Sequence, residues 1–525
     1  MSGIQNHKIH TASLQVDFEG MEEGLGVQDS LDLLFYEKIK PALEKAFDKY
    51  GDPKATVVFD KLELDCGQIS YENWEEDLLK QVLIQLEQNL KSLPKGKKET
   101  VPAEKKAEEV FFYFLRKGYF PWNSPFSSPI VLENAILLDT PFFENLKKTI
   151  QKSSVPLDRI FLSFSSAFIS KIFESLTQKS NPTIVSLVNY FQTQAPSAFQ
   201  KELMVALLHS FPNQPPSSVT FFLQVLIGKF STASLSYLAE YLCLKLVGEQ
   251  ELREILDSLL SQTHAPDFRT NLFYLMESMV KIDPMVLQRN GIGLQKADSE
   301  NNLSLTEKVV DSSLKIIREK DYIKPGLSNN PFESEKNIAP SKLSTPVSDP
   351  NYNPDQEIEE EIFVENAGLV LLHPFLAGLF SNLQLTENGK FVAESDQSLA
   401  ARMLQFLVFG ENEHSENFYP LNKILCGMGA SQVLDVEIDI SQEFKIEGEE
   451  LLQAVIGHWS VLKNTSIDGL RETFLQRNGK ISRVEKGWKL QVERKTVDVL
   501  MAKLPWGMGI IKLPWMNEMI FVEWE

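Results

Sequence analysis

Cysteine is scarce in this sequence: 525 residues hold three, Cys66, Cys243 and Cys426, far apart and with no CxxC pair. That excludes a disulfide-stapled fold and fits a reducing compartment. Positive charge is also in deficit, with 52 Lys and Arg against 72 Asp and Glu and a formal net charge of −20. A surface of that sign repels duplex phosphates and anionic lipid, so no nucleic acid and no membrane is expected as a partner. Long apolar runs are missing too. The longest, near Val219–Ile227, falls far short of the ~20 residues that a membrane helix needs. The first residues, Met1–His7, lack the basic-then-apolar plan of a secretory signal. The chain is therefore expected to be cytoplasmic unless a larger assembly carries it out.

Catalytic motifs are absent as well. Gly24-Leu25-Gly26, Gly291-Ile292-Gly293, Gly427-Met428-Gly429 and Gly507-Met508-Gly509 each begin a GxG, and none has the third glycine that a phosphate cradle requires. No GxxxxGK[ST], HExxH or GxSxG occurs. The seven histidines are scattered, and the one close pair, His7 and His10, would face opposite sides of an extended segment. His373 and His458 read as core or capping histidines, and Cys426 as a packed thiol with no basic cluster beside it. No catalytic residue, cofactor-binding residue or metal ligand is expected, and no cofactor.

What is present is an ordinary soluble composition, 43% hydrophobic and 24% charged, in a chain long enough for several cores. The fold class read from it is α+β and predominantly α-helical. Residues 1–95 read as a β-α-β-α unit. A strand is expected over His10–Phe18, where Ala12, Leu14, Val16 and Phe18 alternate with polar residues. A helix follows over Asp29–Tyr50, kinked at Pro41, then a strand over Val57–Leu64 and a helix marked by Trp74, Leu78, Val82, Leu86 and Leu90. The two strands are expected to share one sheet, and the charged stretch Lys95–Lys106 reads as a linker.

Residues 107–323 read as a central array of short helices between prolines. Val110–Leu115 ends at Arg116-Lys117-Gly118. Further helices are expected over Leu157–Leu176, Thr183–Phe191, Ala198–Leu208, Val219–Phe230, Leu235–Val247 and Leu252–Leu260. Residues 324–356, rich in Pro, Ser and Asn, read as a disordered linker. Residues 357–525 read as a C-terminal helical domain with a small antiparallel sheet. Its helices are Val364–Leu383, Ser398–Phe409, Gly448–Leu462 and Ile467–Arg477. A hairpin is expected from Ile481–Glu485 and Trp488–Glu493, then a helix at Val497–Leu504 and closing strands at Gly509–Leu513 and Met519–Trp524.

The C-terminal stretch is the most distinctive. His458-Trp459 opens a run through Asp468-Gly469-Leu470-Arg471 to Asn478-Gly479, and Leu504-Pro505-Trp506 and Leu513-Pro514-Trp515 follow. With "FVEW" at the end, this run resembles the contractile injection system tape measure proteins of phage-tail-like particles. "ENAGLVLLHPFL" (Glu365–Leu376) and "LNKILCGM" (Leu421–Met428) agree. So do "IHTASLQVDF" (Ile9–Phe18), "KLELDCG" (Lys61–Gly67) and "FFYFLRKGYFPW" (Phe111–Trp122) near the start. The resemblance covers both ends well and the middle poorly. It implies a non-enzymatic component that acts in tube assembly, setting tube and sheath length or starting the tube. Other particle proteins, such as inner tube, baseplate or cargo, would be its partners.

Prolines fix φ before Trp506 and Trp515, so these rings are rigidly placed. They suit either packing on the small sheet or a partner-binding surface, for which Trp459, Arg471, Trp506 and Trp515 are the candidates. Arg471, Arg477, Lys480, Arg483, Lys486, Lys489, Arg494 and Lys495 form a basic stretch in an acidic chain. It reads as a solvated hairpin face or as a dock for an acidic partner. A cytosolic adaptor or chaperone for cargo or particle assembly is the alternative function.

Overall fold

The structure is a computed structural model. It describes residues 9, 12–17, 30–31, 33–50, 55–59, 61–92, 98–178, 180–210, 219–245, 258–259, 266–280, 361–410, 415–435 and 438–524. The stretch read as a linker, the pair His7 and His10, and nearly all of the helix expected at Leu252–Leu260 lie outside these residues. The chain divides into two compact units. One comprises Met1–Leu137, Leu162–Phe164 and Glu359–Glu525; the other comprises Leu138–Phe161 and Ser165–Ile358.

In the first unit a π-helical turn, Phe35–Ile39, runs into α1 (Lys40–Tyr50). Pro41 has no N–H to give to the carbonyl of Glu37, and the turn before it widens so that the Lys40 N–H reaches Phe35 O. Strand β1 (Ala55–Phe59) and helix α2 (Trp74–Ser92) follow. Glu75, Glu76 and Asp77 in the first turn of α2 and Lys91 in its last complement the helix dipole. Leu34, Ile39 and Leu43 close on Leu78, Val82 and Leu86 as a small core.

β1 pairs antiparallel with β2 (Lys98–Pro102), from Ala55 opposite Pro102 to Phe59 opposite Lys98. This corrects two readings. Lys95–Lys106 is not simply a linker, because Thr100 and Val101 sit in a strand whose last residue is the proline, where no inner ladder bond is lost. Ala12–Asp17 forms no strand and is exposed. Alternation alone gives its backbone no hydrogen-bonding neighbour. The expected β-α-β-α order is thus α-β-α-β among the described residues. Strand β1 also stops earlier than expected, and Lys61–Ser70 has no regular structure.

Helix α3 (Ala103–Lys117) ends at Gly118, as its basic last turn suggests. Tyr119, immediately after it, is buried in the core built by residues beyond 361. The short α4 (Pro129–Glu133) is capped by Ser128, which accepts from the Val131 N–H.

The second unit is helical throughout its described residues. It holds α5 (Thr140–Lys152), most of α6 (Val155–Ser163), α7 (Ser166–Thr177), α8 (Pro182–Gln194), α9 (Ser197–Ser210), α10 (Val219–Lys229), α11 (Thr232–Lys245) and α12 (Pro266–Val280). Its prolines start helices rather than interrupt them: Pro141, Pro156, Pro182 and Pro266 all stand in first turns. Asp139, Ser165 and Asn181 accept the orphan N–H groups of Phe142, Phe168 and Thr183. The Ser165 cap is why Leu157–Leu176 is two helices and not the one expected. Connections of two to four residues join α5 through α9 in turn, and one of two residues joins α10 to α11. Helix α9 packs against α5, α7, α8 and α10, and α12 against α10 and α11. Phe191, Phe199, Phe230 and Tyr241 form one aromatic nucleus, with the Phe191 and Phe199 centroids 4.3 Å apart.

The C-terminal part of the first unit starts with β3 (Ile362–Val364) and a 3-10 turn, Ala367–Leu372. Helix α13 (His373–Asn382) follows, so the single helix expected over Val364–Leu383 is three elements. The strand takes its first residues because Ile362–Val364 pairs with Gly479–Ile481. The small ladder β4 (Thr386–Glu387) and β5 (Lys390–Phe391) leads to α14 (Glu394–Phe409). Then come α15 (Pro420–Leu425), α16 (Gln442–His458) and α17 (Ile467–Leu470), the last continued as a π-turn over Arg471–Leu475.

Strands β6 (Gly479–Val484) and β7 (Gly487–Val492) form the expected hairpin. They join β8 (Ile510–Ile511) and β9 (Met519–Trp524) in one sheet ordered β3-β6-β7-β9-β8. The sheet is mixed, not wholly antiparallel, because β9 runs parallel to β7 in register from Gly487–Met519 to Val492–Trp524. A parallel neighbour needs a crossover. The 3-10 stretch Thr496–Lys503 and the two Leu-Pro-Trp steps supply it.

Candidate functional site

The sequence directs attention to the tryptophans and cations of the C-terminal segment. Trp459 is fully buried and packs on Phe474 with ring centroids 4.7 Å apart and the planes tilted by 55°. Its indole N–H has no hydrogen-bond partner among the described residues. Arg471 is buried as well, and its role is local. Its Nε donates to Leu407 O at 3.1 Å and its Nη2 to Phe406 O at 3.4 Å, the last carbonyls of α14. Gln476 donates to Val408 O beside it. A helix C-terminus leaves its final carbonyls unpaired and favours a cation there. Arg471 supplies both donors and charge, with Asp468 on its Nη1 at 3.1 Å. Both Trp459 and Arg471 are buried within the domain.

Trp506 and Trp515 are half-buried. Trp506 donates its N–H to Leu371 O at 3.1 Å and meets Phe375 edge-on at 5.2 Å. Trp515 donates to Leu425 O at 2.8 Å and packs on Phe380 and Phe391. Each Leu-Pro-Trp step thus pins the crossover to the carbonyl end of a helical turn. The four candidates are spread over separate contacts.

The basic stretch is largely neutralised within the domain. Arg477 is fully buried on Asp498, which also accepts from the Trp524 indole and the Lys495 N–H. Lys480 pairs with Glu361 at 2.8 Å, and Lys489 with Glu523 at 2.8 Å. Arg483 holds Glu518 through both guanidinium nitrogens. The hydrogen bond from Arg483 keeps the Glu518 carboxyl below its ordinary range, and the one from Lys489 does the same for Glu523. Lys486, Arg494 and Lys495 remain on the surface.

Sequence reading missed a buried polar cluster. Asn366 donates to Asn422 Oδ1 at 2.6 Å and to Gln405 Oε1 at 3.1 Å, and Asn422 donates to Gln405 and to Ala401 O. Next to Asn422, Lys423 meets Glu416 at 2.6 Å with neither side chain exposed. Burial pushes the nearby Tyr419 hydroxyl up to about 12 and raises the Cys426 thiol far above its usual range. Cys426 is packed in the core, as read from its neighbours. The signal was available: Asn366, Asn422 and Lys423 are polar residues inside apolar runs, and burial there demands partners.

His373 is half-buried, its Nδ1 donating to Val370 O at 3.0 Å, and burial holds its pKa below the ordinary value. His458, by contrast, is exposed at the end of α16, its ring 5.9 Å from that of Phe375, so the core reading fails for it. Among the described residues no group of three or more His, Cys, Asp or Glu could hold a metal ion. No helix among them is long and apolar enough to cross a membrane.

Residues that carried the sequence resemblance are those that close this domain. Gly368 lets the backbone of Ala367–Leu369 lie against Phe474–Leu475, and a Cβ there would fall 1.8 Å from Phe474 O. Asn366, Asn422, Lys423, Trp459, Arg471, Arg477, Trp506 and Trp515 are interior or anchoring groups. No curated protein and no solved structure matches the chain. The profile of one family, contractile injection system tape measure protein, matches residues 6–524. The chain belongs to the contractile injection system tape measure protein family.

Proposed function

We propose that this chain is a folded, non-catalytic assembly component that helps to start the tube of a contractile phage-tail-like particle, and is not a ruler stretched along it. Membership of the family makes it a structural component whose partners are other particle proteins. The observation favouring the finer reading is the lateral packing of α9 against four other helices. A ruler reports length only if each residue adds a fixed rise, ~1.5 Å in a continuous helix. Short helices folded back on one another add none. The sum of Phe191, Phe199, Phe230 and Tyr241 contacts resists stretching, because exposing one such ring costs ~3 kcal/mol.

The C-terminal domain supports a structural role in a second way. Its polar motif residues serve as helix caps and buried pairs. Mass spectrometry of purified particles tests the reading. Peptides from both units should co-purify with the tube proteins through a final density gradient. A chain abundant in the lysate and absent from intact particles would be an adaptor or chaperone instead.

A further inference from the structure

The amide side chains of Asn366, Gln405 and Asn422 meet inside the C-terminal domain, brought there from separate elements. Asn366 lies just after β3, Gln405 on α14 and Asn422 on α15. Asn366 and Gln405 are each 1% exposed. Asn422 donates to Ala401 O at 2.9 Å and to Gln405 Oε1 at 3.0 Å. Asn366 donates to Gln405 Oε1 at 3.1 Å and to Asn422 Oδ1 at 2.6 Å. Both amide hydrogens of each asparagine are thereby used, and Gln405 Oε1 accepts one from each.

One backbone atom fixes which way all three amides are turned. A carbonyl can only accept, so Ala401 O holds the nitrogen of Asn422 on its side and leaves Asn422 Oδ1 toward Asn366. Turning the Asn366 amide over would set its oxygen against Asn422 Oδ1 and Gln405 Oε1. Turning Gln405 over would set its nitrogen against the nitrogens of both asparagines. Neither arrangement bonds. The orientation that remains leaves two atoms over, the acceptor Asn366 Oδ1 and the donor Gln405 Nε2. Both are buried with no hydrogen-bond partner among the described residues. Interior polar atoms demand partners.

We propose an internal hydration site at this cluster, where one ordered water accepts from Gln405 Nε2 and donates to Asn366 Oδ1. The two atoms select the class of ligand. A cation would suit Asn366 Oδ1 and be repelled by the Gln405 amide hydrogens, and an anion would meet the reverse. A neutral molecule that both donates and accepts satisfies both, and the burial of both side chains limits its size to that of water. The open atoms belong to amides already joined at 3.1 Å, so they lie on adjoining groups. The water adds a second link between the residue that leaves β3 and helix α14.

A crystal structure of the full chain that resolves ordered water tests the site. Density should stand ~2.6–3.2 Å from both Asn366 Oδ1 and Gln405 Nε2. Density that touches only one of the two overturns the proposal, and at ~2.3–2.6 Å from Asn366 Oδ1 alone it is a cation. A map with water at other interior positions and none here overturns it as well. Water oxygen-17 relaxation dispersion of the full chain reads the site in solution. The triple variant Asn366→Leu, Gln405→Met, Asn422→Leu replaces the cluster by apolar groups of similar size. Folded, it should hold one long-lived water fewer than the wild type, and an equal number contradicts the proposal. Should the variant not fold, the wild-type density decides alone.

Discussion

The Lys423 ammonium and the Glu416 carboxylate meet at 2.6 Å with neither side chain exposed, seven residues apart in sequence. Breaking such a pair leaves a lone charge in the interior, at a cost of roughly 3–5 kcal/mol, whereas removing both charges in favour of apolar groups is far cheaper. Glu416→Leu and Lys423→Met should each destabilise the chain strongly. The double variant should recover most of the loss. Urea unfolding followed by far-UV circular dichroism measures all three, and equal losses for the double and the worse single variant would refute the pair's role.

Gly368 and Gly378 should respond oppositely to alanine. At Gly368 the new Cβ collides with the Phe474 backbone, and the strand-turn junction must shift at a cost of at least ~1–3 kcal/mol. At Gly378, inside α13, nothing lies within 4 Å, and the helix should gain up to ~1 kcal/mol. Thermal unfolding of the two variants decides the matter by the sign of each shift.

Alkaline pH should weaken the folded chain. The Tyr419 hydroxyl has its folded value raised to about 12 from the ordinary 10, so its contribution is complete below pH 10 and lost as pH rises through 12. The loss is on the order of 2–3 kcal/mol. The raised Cys426 thiol acts in the same direction, beginning near its ordinary 9. Urea midpoints measured against pH should fall above 9 in the wild type. In Tyr419→Phe the fall above 10 should flatten while the earlier onset remains.

Trp515→Phe should cost stability chiefly through the orphaned Leu425 carbonyl, about 1–3 kcal/mol. Trp459→Phe removes an indole N–H that has no partner among the described residues, so only packing is lost there. Intrinsic fluorescence unfolding curves of the two variants should show the larger polar penalty at Trp515.

These contacts show why some of the fold could be read in advance and some could not. Helix α2 was legible because Trp74, Leu78, Val82, Leu86 and Leu90 lie on one stripe, a purely local pattern. The β6–β7 hairpin was legible because Lys486-Gly487 reads as a turn between alternating strands, although the two-residue loop is Glu485-Lys486 and Gly487 already pairs with Val484. Strand β2 was hidden by Lys98, Glu99 and Pro102, since pairing with β1 and not its own propensity makes it a strand. The role of Arg471 was hidden for a similar reason: the carbonyls it caps belong to Phe406 and Leu407, more than sixty residues earlier. Trp506 and Trp515 stand out in the sequence as aromatics made rigid by a preceding proline, but rigidity alone does not say which way such a ring faces.

The most direct measurement is tube length in particles carrying in-frame deletions of the central helices. Removing α10 and α11 together, Val219–Lys245, takes out the two helices against which α12 packs, without touching the C-terminal domain. For a folded initiating component, electron microscopy should show fewer particles whose tubes keep their native length. Tubes that shorten in step with each deletion, by ~1.5 Å for every residue removed, would contradict the account and make the chain a ruler.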